Sequence, residues 1–130
     1  MDTRKRRIIL VRHGETEWNS AFRFQGRTDV PLAESGLAQA DLLALRLAGA
    51  RLDKVYTSPL ARARQTASAI ARMNESVKEV TAVDELSEMS FGGWEGLRLS
   101  EIRELHPDLF SSWSKDPSAT APPGGECFSD

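Results

Sequence analysis

Aliphatic side chains fill Ile8-Ile9-Leu10-Val11, and the pattern then breaks at Arg12-His13-Gly14. Four apolar residues in a row, most of them β-branched, predict a buried strand, and Gly14 permits a sharp turn at its end. From Thr16 to Pro31 no period is sustained. Gly26, Asp29 and Pro31 punctuate this stretch as a long loop, and loops of that length in compact domains usually carry function. A helical period begins at Ser35, with Leu37, Ala40, Leu43, Ala44 and Leu47 on one face. Ser35 can cap that helix and Gly49 can end it, predicting a helix laid on one face of a sheet.

Leu52 to Thr57, with Val55 and Tyr56, reads as a second strand. Ser58 and Pro59 then offer a cap and a first-turn proline to a helix that turns Leu60, Ala63, Ala67, Ile70 and Ala71 inward and runs to about Met73. Val77 to Val83 is a weaker strand pattern. Glu101 to Leu105 is helical, Pro107 interrupts, and Leu109, Phe110 and Trp113 mark a second short helix before the proline- and glycine-rich loop of 116–125. Strand, helix, strand, helix in this order implies a right-handed βαβ unit and an at least partly parallel sheet. No repeat or coiled-coil pattern is present, so residues 1–130 are read as one domain.

Composition narrows the class. Hydrophobic residues make up 40% and charged residues 28% of the chain, the balance of a globular protein and not of a disordered one. A net charge of -2 gives no global steering toward nucleic acid, so any preference for an anion must come from locally placed basic residues. Arg4-Lys5-Arg6-Arg7 is too short to change this and reads as a solvated basic tail over 1–7. No apolar run approaches the ~18 residues of a membrane span or forms a signal-peptide core. The expectation is a cytoplasmic protein that binds neither nucleic acid nor membrane. Cys127 is the only cysteine, which excludes an intrachain disulfide and suits a reducing compartment.

The candidate chemistry lies at the element ends. Arg12 and His13 follow a strand, the edge of an open α/β sheet where ligands bind. A guanidinium offers forked donors to phosphate or carboxylate, and an imidazole can act as base, nucleophile or metal ligand. Arg62 falls in the first turn of the second long helix, where free backbone N–H groups also favour an anion. Arg64 is about 200° further round and points elsewhere. Asn19 and Gln25 can donate amide hydrogens or simply bond within their loop, and Gly26 allows close backbone approach. His13 and His106 are far apart with no cysteine near either, so no metal site is expected, and His106 reads as a capping or surface residue.

Arg12-His13-Gly14-Glu15-Thr16, Glu17-Trp18-Asn19 and the run from Arg23 to Leu32 together resemble the signature of the histidine phosphatase superfamily, which includes the cofactor-dependent phosphoglycerate mutases. Thr57 to Ala67 is similar to the family's strand-to-helix segment, and Asp84 to Gly96 to the segment in which a Glu precedes a Phe-Gly-x-Trp-Glu-Gly turn. The resemblance implies a three-layer α/β/α, phosphoglycerate mutase-like fold with a mostly parallel central sheet. It implies His13 as a nucleophile that becomes phosphohistidine, Arg12 and Arg62 as phosphate clamps, and Asn19, Gln25 and Gly26 as further phosphate contacts. Glu88 takes the proton donor's position, with Glu85 and Glu95 as competitors that the residues alone do not separate. A carboxyl must be protonated to help an alkoxide leave, and partial burial beside a phosphate dianion would raise its pKa. No cofactor is implied, and the partner is a small phosphorylated metabolite.

Two departures from the mutases favour hydrolysis. Met89 to Trp94 contains no basic residue where mutases carry an Arg-Arg segment, and Phe24-Gln25-Gly26 stands where mutases more often place Thr before the glycine. Both are closer to α-ribazole phosphatase and broad-specificity members. Pro123-Gly124-Gly125-Glu126-Cys127 resembles the family's Pro-Gly-Gly-Glu-Ser loop, which elsewhere leads to a strand bearing a second catalytic His. On that reading the chain is the N-terminal portion of the family domain, C-terminally incomplete. Loss of one such preorganised donor costs about 2.7–4 kcal/mol of transition-state stabilisation. Unpaired interior strand edges would also favour pairing with another chain. Three accounts follow: a fragment of a longer phosphatase, a homo-oligomer completed by strand exchange, or an inactive phosphoanion-binding module. Phosphoglycerate mutase-type transfer is the alternative activity.

Overall fold

The computed structural model describes residues 6–130; Arg4 and Lys5 of the basic tail lie outside them. The elements in chain order are α1 (Glu17–Ser20), α2 (Glu34–Leu47), β1 (Val55–Thr57), α3 (Ala61–Arg72), β2 (Val80–Ala82), α4 (Leu99–Leu105) and α5 (Pro107–Lys115). Two 3-10 turns, Asp84–Leu86 and Gly92–Trp94, separate β2 from α4.

The βαβ reading holds. β1 and β2 pair in parallel with Val55 opposite Val80 and Thr57 opposite Ala82, and α3 forms the crossover. The protein is an α/β fold, and its sheet has two strands among the described residues. α3 packs on both strands, while α2 packs chiefly on α3 and not, as its periodicity suggested, on the sheet. Small side chains explain the contact: Ala40 and Ala44 meet Ala69 and Ile70, with Leu32 closing the cluster and Leu43, Leu47 and Leu52 at its margin. The buried face of α2 is therefore Gly36, Ala40 and Ala44, and Leu37 is exposed. On α3 the buried positions are Arg62, Thr66, Ala67, Ala69 and Ile70; Leu60, Ala63 and Ala71 are only half-buried. A second cluster is aromatic. Trp94, fully buried, meets Phe24, Phe110 and Trp113 at centroid distances of 6.3, 6.0 and 5.5 Å in edge or tilted contacts.

Several local expectations change. Ile8 to Val11 has no regular secondary structure and forms no ladder among the described residues, and Ile8 and Leu10 are 83% and 92% exposed. Apolar pattern predicts burial, but a strand also needs a hydrogen-bonding neighbour. The long loop contains a single helical turn, α1, closed by a capping box in which Thr16 accepts from the Asn19 N–H and the Asn19 side chain accepts from the Thr16 N–H. Ser35 does not cap α2; its hydroxyl donates to Glu15 at 2.6 Å, and α2 starts at Glu34 with Ala33 in the cap position. α3 begins at Ala61 and not after Ser58, because Asp29 reaches across to accept the Ala61 N–H at 2.7 Å.

None of the described helices is long and apolar enough to cross a membrane. Gly14 lies against α2 so closely that a Cβ there would collide with the Gly36 carbonyl. A Cβ on Gly36 would collide with the Glu15 carbonyl.

Candidate active site

A cavity of about 240 Å³ is lined by Arg12, His13, Asn19, Arg23, Gln25, Gly26, Arg62, Glu88 and Phe91. All seven residues singled out from the sequence line it, drawn from the His13 turn, α1 and the loop after it, the start of α3 and the segment before the second 3-10 turn. Three guanidinium groups face one carboxylate, so the wall carries a positive surplus suited to an anion. A larger, open depression near Arg51 and Asn74 holds no such convergence: Asn74 is spent on the Leu47 and Ala50 carbonyls and Arg51 pairs with Asp53.

His13 is half-buried, and its Nδ1 donates to the Gly14 carbonyl at 2.6 Å. A carbonyl only accepts, so Nδ1 carries the proton and Nε2 is the lone-pair nitrogen of the neutral ring. Burial, the largest influence, holds the His13 pKa below its ordinary value, aided by the Arg62 and Arg12 charges and opposed by the Gly14 bond and Glu88. The turn is pinned to α3, since the Gly14 N–H donates to Thr66 Oγ1 at 3.3 Å.

Arg62 is only 2% exposed. Its Nη1 donates to the Thr28 carbonyl at 2.9 Å and its Nη2 to the Gly26 carbonyl at 2.6 Å. Burial lowers its pKa, while Glu88, Asp29 and Glu95 favour its charge. Arg12 is exposed at the rim. The Asn19 Oδ1 is used by the capping box and the Gln25 Oε1 accepts from the Thr16 hydroxyl at 2.5 Å, which leaves their NH₂ ends as the donors for a ligand. Both residues thus bond within their loop and line the cavity.

The structure separates the three carboxylates. Glu88 lines the cavity on its exposed side, where partial burial had been expected, and one of its oxygens accepts from the Met89 N–H at 3.1 Å. Glu85 is exposed on the first 3-10 turn and does not line the cavity. Glu95 lies behind the wall, accepting from backbone N–H groups of Arg27, Thr28 and Phe91.

Sequence reasoning did not select Arg23, Arg27, Phe91 or Glu126. Arg23 lines the cavity while donating to the Gly96 carbonyl at 2.5 Å. Arg27 donates to the Glu88 carbonyl at 3.1 Å and pairs with Glu126 at 3.1 Å, and Glu126 in turn accepts from the Ser90 N–H at 2.8 Å. The loop after α5 thereby braces the segment that carries Glu88. Each of these residues sits inside a run that carries the family resemblance, but none has a spacing that marks it.

The description "Histidine phosphatase superfamily (branch 1)" fits residues 8–130. Phosphoserine phosphatase 1 of Hydrogenobacter thermophilus is 41% identical over 92% of the chain and 56% of its own length. Metal-independent phosphoserine phosphatase of Arabidopsis thaliana is 42% identical over 93% of the chain and 51% of its own length. The crystal structure of the α-ribazole phosphatase from Shigella flexneri superposes with a TM-score of 0.83 at 32% identity, covering 92% of the chain and 58% of that protein. The chain therefore spans about half the length of these relatives.

Proposed function

The chain belongs to the histidine phosphatase superfamily, and from that premise we propose that it serves phosphomonoester hydrolysis through a phosphohistidine on His13. The observation that carries this reading is the Nδ1 bond to the Gly14 carbonyl, which leaves Nε2 as the free nucleophile among basic residues. Phosphoryl transfer depends mainly on positioning and charge neutralisation. Arg62 and Arg12 would neutralise the phosphoryl oxygens, with the NH₂ groups of Asn19 and Gln25 adding uncharged donors. Nε2 attacks phosphorus as the ester P–O bond breaks, and Glu88 gives its proton to the departing alkoxide. The Glu88 carboxylate then takes a proton from water, which attacks phosphorus and breaks the P–N bond, releasing inorganic phosphate and neutral His13. The substrate class is a small phosphorylated metabolite. Phosphoserine, as in two of the named relatives, is the first to try.

Trapping tests the reading directly. Rapid acid-free quenching of the chain with p-nitrophenyl phosphate, followed by mass spectrometry, is expected to find phosphate on Nε2 of His13. Inorganic phosphate bound without any labelling would instead identify an anion-binding module.

The pH dependence has a definite sign. Attack needs neutral imidazole, and the His13 pKa lies below its ordinary value near 6.5. The acid limb of kcat/KM is therefore expected below that value, with activity rising as pH increases through it. A limb at or above the ordinary imidazole value would contradict the burial and charge environment described.

A further inference from the structure

Glu95 and Arg62 do not touch, yet one peptide group connects them. The Arg27 N–H donates to Glu95 Oε1 at 3.0 Å, and the Gly26 carbonyl of that same peptide accepts from Arg62 Nη2 at 2.6 Å. A carboxylate on the N–H side and a guanidinium on the C=O side polarise the amide in the same sense, so each bond strengthens the other. A second link runs through Thr28. Its N–H donates to Glu95 Oε2 at 3.0 Å, its hydroxyl donates to the same oxygen, and its carbonyl accepts from Arg62 Nη1.

Gly26 makes the approach feasible. It sits at φ +54°, and a Cβ there would collide with Glu95 Oε1. Glu95 cannot serve as a proton donor to a ligand, because its oxygens accept from Arg27, Thr28 and Phe91 and it does not line the cavity. Burial pushes its pKa up, but the Thr28, Arg27 and Phe91 donors together outweigh that and hold it below the ordinary carboxylate value.

We propose that Glu95 is a positioning residue that acts as the remote counter-ion of Arg62, holding the phosphate clamp in place through the Gly26–Arg27 peptide. The proposal deepens the phosphatase reading and rests on it for the identity of the anion. Its structural content, the coupling of Glu95 to Arg62, stands separately. Glu95→Gln removes the charge and turns an NH₂ group toward backbone donors, so the loop must shift and Arg62 loses its carbonyl partners.

The test uses the full chain, with inorganic phosphate as the probe. Glu95→Gln is expected to weaken phosphate binding, measured by calorimetry, about 10-fold. It should have no further effect in an Arg62→Ala background, because the two residues act as one unit. Where turnover is measurable, kcat/KM should fall by the same factor for p-nitrophenyl phosphate and for an alkyl phosphate. Glu88→Gln should instead penalise the alkyl phosphate more, since its poorer leaving group needs the proton. Gly26→Ala provides a second route to the same displacement and should mimic Glu95→Gln. The Arg62 guanidinium resonances in a nitrogen-15 spectrum should shift and broaden in both variants, whether or not the chain turns over. Unchanged Arg62 resonances, or effects that simply add in the double variant, would overturn the proposal. Absence of labelling on His13 with the coupling intact would overturn only the phosphatase reading.

Discussion

Replacing His13 by alanine is expected to lower kcat for p-nitrophenyl phosphate by about 10⁴- to 10⁶-fold, the scale at which enzymes lose rate when a covalent nucleophile is removed. At 1.36 kcal/mol per tenfold change this is roughly 5–8 kcal/mol of barrier. The large value follows from the geometry. In the proposed mechanism Nε2 forms the new bond, and no other imidazole among the described residues lines the cavity. The fold should barely notice the change. The side chain is half-buried and its one hydrogen bond among the described residues, to Gly14, is worth about 1 kcal/mol. Phosphate should still bind, because Arg12 and Arg62 remain. The decisive comparison is kcat against phosphate affinity in the same variant: turnover that survives within tenfold would remove His13 from the mechanism.

Trp94→Ala is the substitution expected to cost most stability, about 3–5 kcal/mol, the usual range for deleting a buried aromatic side chain. Trp94 is fully buried, and its ring is contacted by Phe24, Phe110 and Trp113, so the vacated space cannot close without moving several rigid rings. Domains of this size are stable by only about 5–15 kcal/mol, so a large fraction of the total is at risk. Trp94→Phe should be far milder. It keeps a ring in the cluster, and Trp94 Nε1 has no protein acceptor among the described residues, so no internal hydrogen bond is given up. Urea denaturation of the two variants checks the ordering. Equal losses would mean that a ring retained at position 94 contributes nothing to the cluster, contrary to the packing described. Because Trp94 ends the turn that precedes Glu95 and follows Phe91, loosening it should also blur the cavity wall.

Much of this was legible in the residues because it is local. Alternating strand and helix patterns led to a parallel pairing that Val55 and Val80 realise. The first turn of a helix is an anion-favouring place whatever surrounds it, so Arg62 could be chosen without a structure. What escaped depends on parts of the chain that meet only after folding. Asp29 sets the start of α3 from across a loop, which no reading of Ser58 and Pro59 reveals. Glu95 and Glu88 are alike in composition and nearby in sequence, yet the turn between them sends one behind the wall and the other to its rim. Ile8 to Val11 carries a burial pattern but finds no ladder partner among the described residues. α1 is a single turn, too short for any period to register.

The crossing of Gly14 and Gly36 has a consequence for how the chain can drift. Most core positions tolerate change because neighbouring side chains repack around it. At this crossing the obstacles are main-chain carbonyls, those of Gly36 and Glu15, and no rotamer change removes them. A larger residue at one glycine cannot be offset by a smaller one at the other, since both are already without side chains. The distance between the His13 turn and the start of α2 is thus a main-chain dimension, and the imidazole inherits its reference frame from it, insulated from substitutions elsewhere on the helix.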